Sequence, residues 1–133
     1  MRIGIFDPYL DTLSGGEKYM LSIAVCLASG NEVFIFWDND EEEIRQKSLQ
    51  KLGIDLSRVK FTRNIFSPNV SLFDRLKASR HFNKIIYLSD GSIPFVLSKL
   101  YLHFQFPIAF SSVNSPKAKF KLKRITEFFC NSY

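Results

Sequence analysis

Two cysteines and two histidines are all that the 133-residue chain holds of the soft metal ligands, and no pair of them stands at a metal-binding spacing. That scarcity argues against a metal site, and it marks Cys26 and Cys130 as small buried hydrophobes in a reducing compartment, not as a disulfide. No cofactor or metal is expected. Long apolar runs are missing too. Nothing approaches the roughly 20 apolar residues of a membrane span, and the first apolar run is too short and too quickly followed by acids to be a signal peptide. A cytoplasmic chain is the expectation. No internal repeat or low-complexity linker divides it, so residues 1–133 read as a single domain, with 46% hydrophobic residues to fill its core.

Acids are absent from one long stretch. Nine of the thirteen lie before Ile44, and none lies between Gly91 and Thr126. Lys117, Lys119, Lys121, Lys123 and Arg124 crowd the end of that stretch, a patch that fits an anionic membrane surface or another phosphate-bearing partner, or else is a solvated helix face. Nucleic acid fits less well, because the aromatics fall in apolar strand patterns instead of an exposed stacking row.

What is present begins with Arg2-Ile3-Gly4-Ile5-Phe6, a short apolar run expected to be a buried first strand, ended by Asp7 and Pro8. Ser14 then stands three residues before Glu17, the S-x-x-E spacing of a capping box, so a helix is expected to start at about Gly15. Its apolar face is Met20, Ile23, Ala24 and Leu27, and Ser29-Gly30-Asn31 stops it. A strand, a loop and a glycine-bearing helix start together aim unpaired N–H groups and the positive end of a helix dipole at an anion.

Further on, Glu32 to Trp37 reads as a strand, Glu41 to Leu52 as a helix capped by Gly53, and Val59-Lys60-Phe61 as a short edge strand. Ser71 caps a helix expected to reach Phe82. Lys84 to Leu88 is a strand, Ser89-Asp90-Gly91-Ser92 a polar turn, Ile93 to Ser98 a short helix, and Leu100 to Phe106 a strand closed by Pro107. Lys117 to Ile125 reads as a last helix and Phe128-Phe129-Cys130 as a sixth strand. This alternation predicts an α/β, Rossmann-like domain with a mostly parallel sheet covered by helices on both faces. In such sheets ligands sit beyond the carboxyl ends of the strands, which gathers Asp7 to Gly16, Ser89 to Ser92 and His103 to Pro107 on one edge.

Three ligand classes fail on context. Leu13-Ser14-Gly15-Gly16-Glu17 matches an ABC-type ATPase signature, but the chain has no G-x-x-x-x-G-K-[ST] and Asn39 follows Asp38 where a catalytic Glu would stand. A dinucleotide site would need G-x-G-x-x-G, which is absent, although Asp38 lies at a plausible ribose distance. A receiver domain would need a phospho-accepting Asp where this chain has Thr62 and Arg63.

A fourth class enters by resemblance. Met1-Arg2-Ile3-Gly4-Ile5-Phe6, Ser14-Gly15-Gly16-Glu17-Lys18-Tyr19, Leu21-Ser22-Ile23-Ala24 and Glu32-Val33 resemble the opening of the N-terminal domain of retaining glycosyltransferases of family four, which have the two-domain GT-B fold. Tyr87 to Pro94, Leu102 to Pro107 and Cys130-Asn131-Ser132 resemble later segments of that domain. The resemblance implies the acceptor-binding half of an enzyme that moves a sugar from a nucleotide-sugar donor to a glycan or lipid-linked acceptor with retention. The family's acidic nucleotide-binding motif belongs to its C-terminal domain, so a half-enzyme is implied, inactive alone and completed by a separate donor-binding domain.

The same resemblance implies roles for single residues. Gly15 and Gly16 would face the donor diphosphate, and His103 would lie beside the transferred sugar as the catalytic contact, unless aligning on Pro107 puts Gln105 there. Asp7, Tyr9, Asp90, Gly91, Ser92 and Gln105 are candidates for the acceptor hydroxyls. No pair of acids shows the logic of a glycoside hydrolase. The Lys117 to Arg124 patch could hold the chain on the cytoplasmic face of a membrane. A stand-alone, non-catalytic sugar- or nucleotide-binding module is the alternative reading.

Overall fold

The computed structural model describes residues 1–89 and 91–104. Asp90, Gln105, Cys130, the basic residues Lys117, Lys119, Lys121, Lys123 and Arg124, and the expected last helix and sixth strand lie outside the described residues.

The elements follow the expected alternation: β1 (Arg2–Phe6), α1 (Gly15–Ala28), β2 (Glu32–Phe36), α2 (Glu41–Lys47), β3 (Lys60–Thr62), α3 (Leu72–Ser79), β4 (Lys84–Ser89) and β5 (Lys99–Phe104). The strands form one five-stranded sheet in the order β3-β2-β1-β4-β5. Every pair is parallel, with Ile3 opposite Val33 and Lys84, and Leu88 opposite His103. This is an α/β, Rossmann-like fold. The chain works outward from β1 to β3, then returns to the other side of β1 for β4, so the strand order reverses between β1 and β4.

Because strand side chains alternate, the sheet has two different faces. Ile3, Ile5, Val33, Ile35 and Leu88 join Met20, Leu21 and Ala24 of α1 and Ile44 of α2 in an aliphatic core. Phe6, Phe36, Phe82, Ile85 and Tyr87 form an aromatic core on the opposite face, with Phe66 packed against Phe6 at 4.8 Å between ring centroids. Gly4 belongs to this aromatic face: a Cβ there would lie 2.5 Å from the Phe36 ring, so the strand has no room for a side chain at that point.

Several local expectations are corrected. The buried stripe of α1 is Glu17, Met20, Leu21 and Ala24, one position round from the expected face, and Ile23 and Leu27 are only half-buried. Cys26 is exposed, not a core residue, because it lies two positions past Ala24, about 200° round the helix from the buried stripe. The helix expected to run from Glu41 to Leu52 is α-helical only to Lys47 and then widens into a π-helical turn, Ser48–Leu52. The wider turn shifts the phase, so Ser48 is buried and bonded to the Ile54 carbonyl at 3.0 Å while Leu49 is exposed. The expected cap at Gly53 is present, with φ of 69°.

Ser71 caps α3 by accepting the Asp74 N–H at 3.1 Å, but that helix stops at Ser79, short of Phe82. Residues 93 to 98 form no helix. Ile93, Phe95 and Leu97 are exposed while Pro94 and Val96 are half-buried, the alternation of an extended segment, and the Ser79 hydroxyl fastens it by accepting the Leu97 N–H at 2.9 Å. No helix among the described residues is long and apolar enough to cross a membrane.

Candidate functional site

The strand order reverses between β1 and β4, and a crevice between the carboxyl ends of strands at such a reversal is where ligands enter open parallel α/β sheets. The loops that flank it are the two polar segments expected there, 7 to 16 after β1 and 89 to 92 after β4.

On the β1 side two carboxyls are packed inside. Asp7 is 1% exposed and Glu17 2%. Asp7 Oδ1 accepts the Tyr9 N–H at 2.9 Å, whereas Oδ2 is buried with no hydrogen-bond partner. Burial pushes the Asp7 carboxyl up from 3.8 to about 6; the Tyr9 N–H opposes the shift, and the nearby Glu17 and Asp11 add to it. Glu17 has the opposite fate. Burial pushes it up, but hydrogen bonds from the Ser14 hydroxyl, from backbone N–H groups and from Thr12 outweigh burial and hold it below the usual glutamate range. Its Oε2 accepts the Ser14 N–H at 2.7 Å and the Thr12 hydroxyl at 3.0 Å, and the Ser14 hydroxyl bonds to it as well. The capping box is therefore formed as the Ser14 and Glu17 spacing predicts, and it keeps an anion at the mouth of α1.

Gly15 is exposed at the first position of α1, with nothing within 4 Å of where a Cβ would stand. A ligand can approach its backbone closely. Gly16 follows, half-buried. Leu13, just before the cap, has φ of 47°, a left-handed conformation that is strained for a leucine.

On the β4 side the described turn residues, Ser89, Gly91 and Ser92, are uncharged. Ser89 is buried; its hydroxyl donates to the Ser92 carbonyl at 2.6 Å and accepts the Gly91 N–H at 3.0 Å. Tyr87 Oη lies 3.4 Å from the Ser92 hydroxyl. Gly91 and Ser92 are exposed, and Gly91 has φ of 115°.

His103 lies near the end of β5, and its ring stacks on Tyr19 of α1 with centroids 4.8 Å apart. Tyr19 stands one turn past Gly15, so this contact draws the end of β5 toward the glycine-bearing start of α1. His103 also lines a groove of about 370 Å³ between α1 and the β4–β5 side of the sheet, which runs past Ile23, Leu27 and Ile86 to Met1, Asn31 and Lys84 at the amino ends of the strands, away from the carboxyl edge. Tyr9 is exposed and enters the site through its backbone. Asp38, considered for a ribose, instead accepts the Asn64 N–H at 2.8 Å and ties the ends of β2 and β3 together.

Sequence reasoning missed three features. The paired carboxyls Asp7 and Glu17 are ten positions apart and meet only because the loop doubles back onto β1. Tyr19 gave no signal as a partner of His103. Ser89 was legible as a strand-end turn residue, but not as the group that holds Gly91 and Ser92. Among the described residues no group of three or more His, Cys, Asp or Glu could hold a metal ion.

Comparison with known proteins adds no name to this geometry: no family model, no curated protein and no solved structure matches the chain.

Proposed function

We propose that this chain is the acceptor-binding half of a retaining glycosyltransferase, which meets a nucleotide-sugar donor held mainly by a second domain and offers it a glycan or lipid-linked hydroxyl. The observation that carries this reading is the convergence of the α1 start, the β4 turn and His103 at the carboxyl edge of a parallel sheet whose strand order reverses there. Gly15 and Gly16 would face the donor diphosphate through backbone N–H groups, and His103, braced by Tyr19, would sit beside the transferred sugar. Gly91 and Ser92 would bind acceptor hydroxyls, and Asp7, buried in this structure, would reach one only with the loop after β1 open. The reaction would need no metal or cofactor, and the chain would work on the cytoplasmic side of a membrane.

The carboxyl pair favours a second reading. Asp7 and Glu17 both lie near the glycine loop, and two acids at that point suit hydroxyls better than phosphate. A sugar-binding module without catalysis would have that preference.

Titration of the labelled chain with UDP-glucose, GDP-mannose, inorganic pyrophosphate and simple methyl glycosides separates the two, read from backbone NMR shifts. The transferase reading expects Gly15, Gly16 and His103 to respond to the nucleotide sugars and to pyrophosphate, with dissociation constants of about 1 mM, as suits half a site. Response to methyl glycosides alone would support the module. If the three residues stay unmoved by every compound at about 10 mM, both readings fall.

A further inference from the structure

Asp7 follows β1 and leads into the loop Pro8–Leu13, its carboxyl buried and half satisfied, with Oδ1 bonded to the Tyr9 N–H and Oδ2 without a hydrogen-bond partner among the described residues. The charged groups that bear on it are Glu17, from α1, and Asp11, from the loop itself; both are acids. Neither of the ion pairs among the described residues, Lys47–Glu43 and Lys60–Glu32, reaches it. The loop is fastened over this carboxyl by the buried side chains of Leu10 and Leu13, by the Thr12 N–H to the Tyr9 carbonyl at 2.9 Å, and by the bonds from Thr12 and Ser14 to Glu17. Leu13 holds its left-handed backbone as part of the same closure. Two costs are thus concentrated in one short loop, a strained residue and a buried acid with no counter-charge among the described residues, and opening would relieve both.

We propose that Pro8–Leu13 is a proton-locked lid over the Asp7 and Glu17 carboxyls, shut while Asp7 is neutral and released when Asp7 ionises beside Glu17. In its neutral form Asp7 adds no repulsion, and the apolar contacts of Leu10 and Leu13 hold the loop down. Ionised, it is a second buried anion facing Glu17 and Asp11, with one N–H to stabilise it. Opening returns it to water and uncovers both carboxyls at the crevice between β1 and β4. The sign follows from the titration: with the lid shut the carboxyl is raised to about 6, and in an open loop it returns toward 3.8. The shut form therefore binds more protons, and the open-to-shut ratio rises about 50-fold as the pH climbs from about 4 to about 7. Such a lid works the same way in a transferase half or in a sugar-binding module.

Amide hydrogen exchange of the whole chain, corrected for the intrinsic pH dependence of exchange, tests this directly. Tyr9, Thr12 and Ser14 report on the lid, and Ile5 and Ile35 report on the sheet beneath it. Between about pH 4.5 and about pH 7.5 the protection of the three loop amides should fall by about 25-fold while the sheet amides stay constant, and in Asp7→Asn the loop should stay protected throughout. Constant protection of the wild-type loop overturns the lid, as does a fall that persists in Asp7→Asn or is shared by Ile5 and Ile35. A second check needs no variant. The carboxyl carbon of wild-type Asp7, followed by NMR, should titrate together with the change in loop protection; a midpoint near 4, where a free carboxyl titrates, overturns the proposal.

Discussion

The two strand ends that face each other across the crevice solve the same problem in opposite ways. After β1 the chain buries two carboxyls under a strained loop and satisfies one of them fully, the other by half. After β4 it turns on a serine hydroxyl that both donates and accepts, with Gly91 and Ser92 exposed and no buried charge among the described residues. The first end is sealed over its acids, whereas the described residues of the second are exposed and held by a hydroxyl.

The largest effect that would break this contrast comes from removing the charge on the β1 side. Asp7 is raised in the fold from 3.8 to about 6, so the folded chain holds a proton that the unfolded chain has released between those values. Stability contributed by this group is therefore present below about pH 4 and lost as pH rises through about 6, by at most about 3 kcal/mol. Local opening of the loop would make the loss smaller. Glu17, with its lowered titration, works in the other direction and loses its contribution in acid. Asp7→Asn should gain stability relative to wild type on going from about pH 4 to about pH 7, measured by urea denaturation at each pH. A constant difference across that range would mean that Asp7 carries no buried charge, and the two walls would then be alike.

Much of this fold was legible because its signals are local. The five strands, the Ser14 and Glu17 cap, the Ser71 cap and the Gly53 stop each depend on residues within a few positions, and each is present. The placement of polar segments along one edge followed from strand alternation alone. What was not legible depends on phase or on contact at long range. A single wide turn at Ser48 moved Leu49 to the surface, and a one-position shift in the buried face of α1 put Cys26 in solvent. Ile93 to Ser98 was read as a short helix, but the segment is extended and held by Ser79 from another element. The Asp7–Glu17 pair belongs to the same class: each acid was visible, but their meeting depends on the path of a loop that no periodicity describes.

The next effect tests what holds the β1 wall shut. Glu17 is the common acceptor for the Ser14 N–H, the Ser14 hydroxyl and the Thr12 hydroxyl, so Glu17→Ala leaves those donors without their acceptor and removes the return half of the capping box. The expected cost is about 2 kcal/mol at neutral pH, reduced in part because Asp7 loses its anionic neighbour. Glu17→Gln keeps the shape and some of the bonds and should cost about half as much. The titration of Asp7 should move down in both variants, since Glu17 is one of the causes that raise it. If Asp7 does not move, the two carboxyls are not coupled, and the β1 wall holds two independent acids.

The smallest effect belongs to the β4 wall and sharpens the comparison from the other side. Gly91 has φ of 115°, and a Cβ built there meets nothing within 4 Å. Gly91→Ala is therefore a test of backbone conformation alone, without a steric clash, and should cost about 1 kcal/mol. The Ser89 hydroxyl holds the turn, so with Asp90, the acid of the same turn, replaced by Asn, that cost should be the same at about pH 4 and about pH 7, where the Asp7→Asn difference changes. Urea midpoints at the two pH values measure it. In that Asp90→Asn background a pH-dependent cost at Gly91 would show that the β4 turn feels the charge of the opposite wall, and that the two ends of the crevice titrate as one unit.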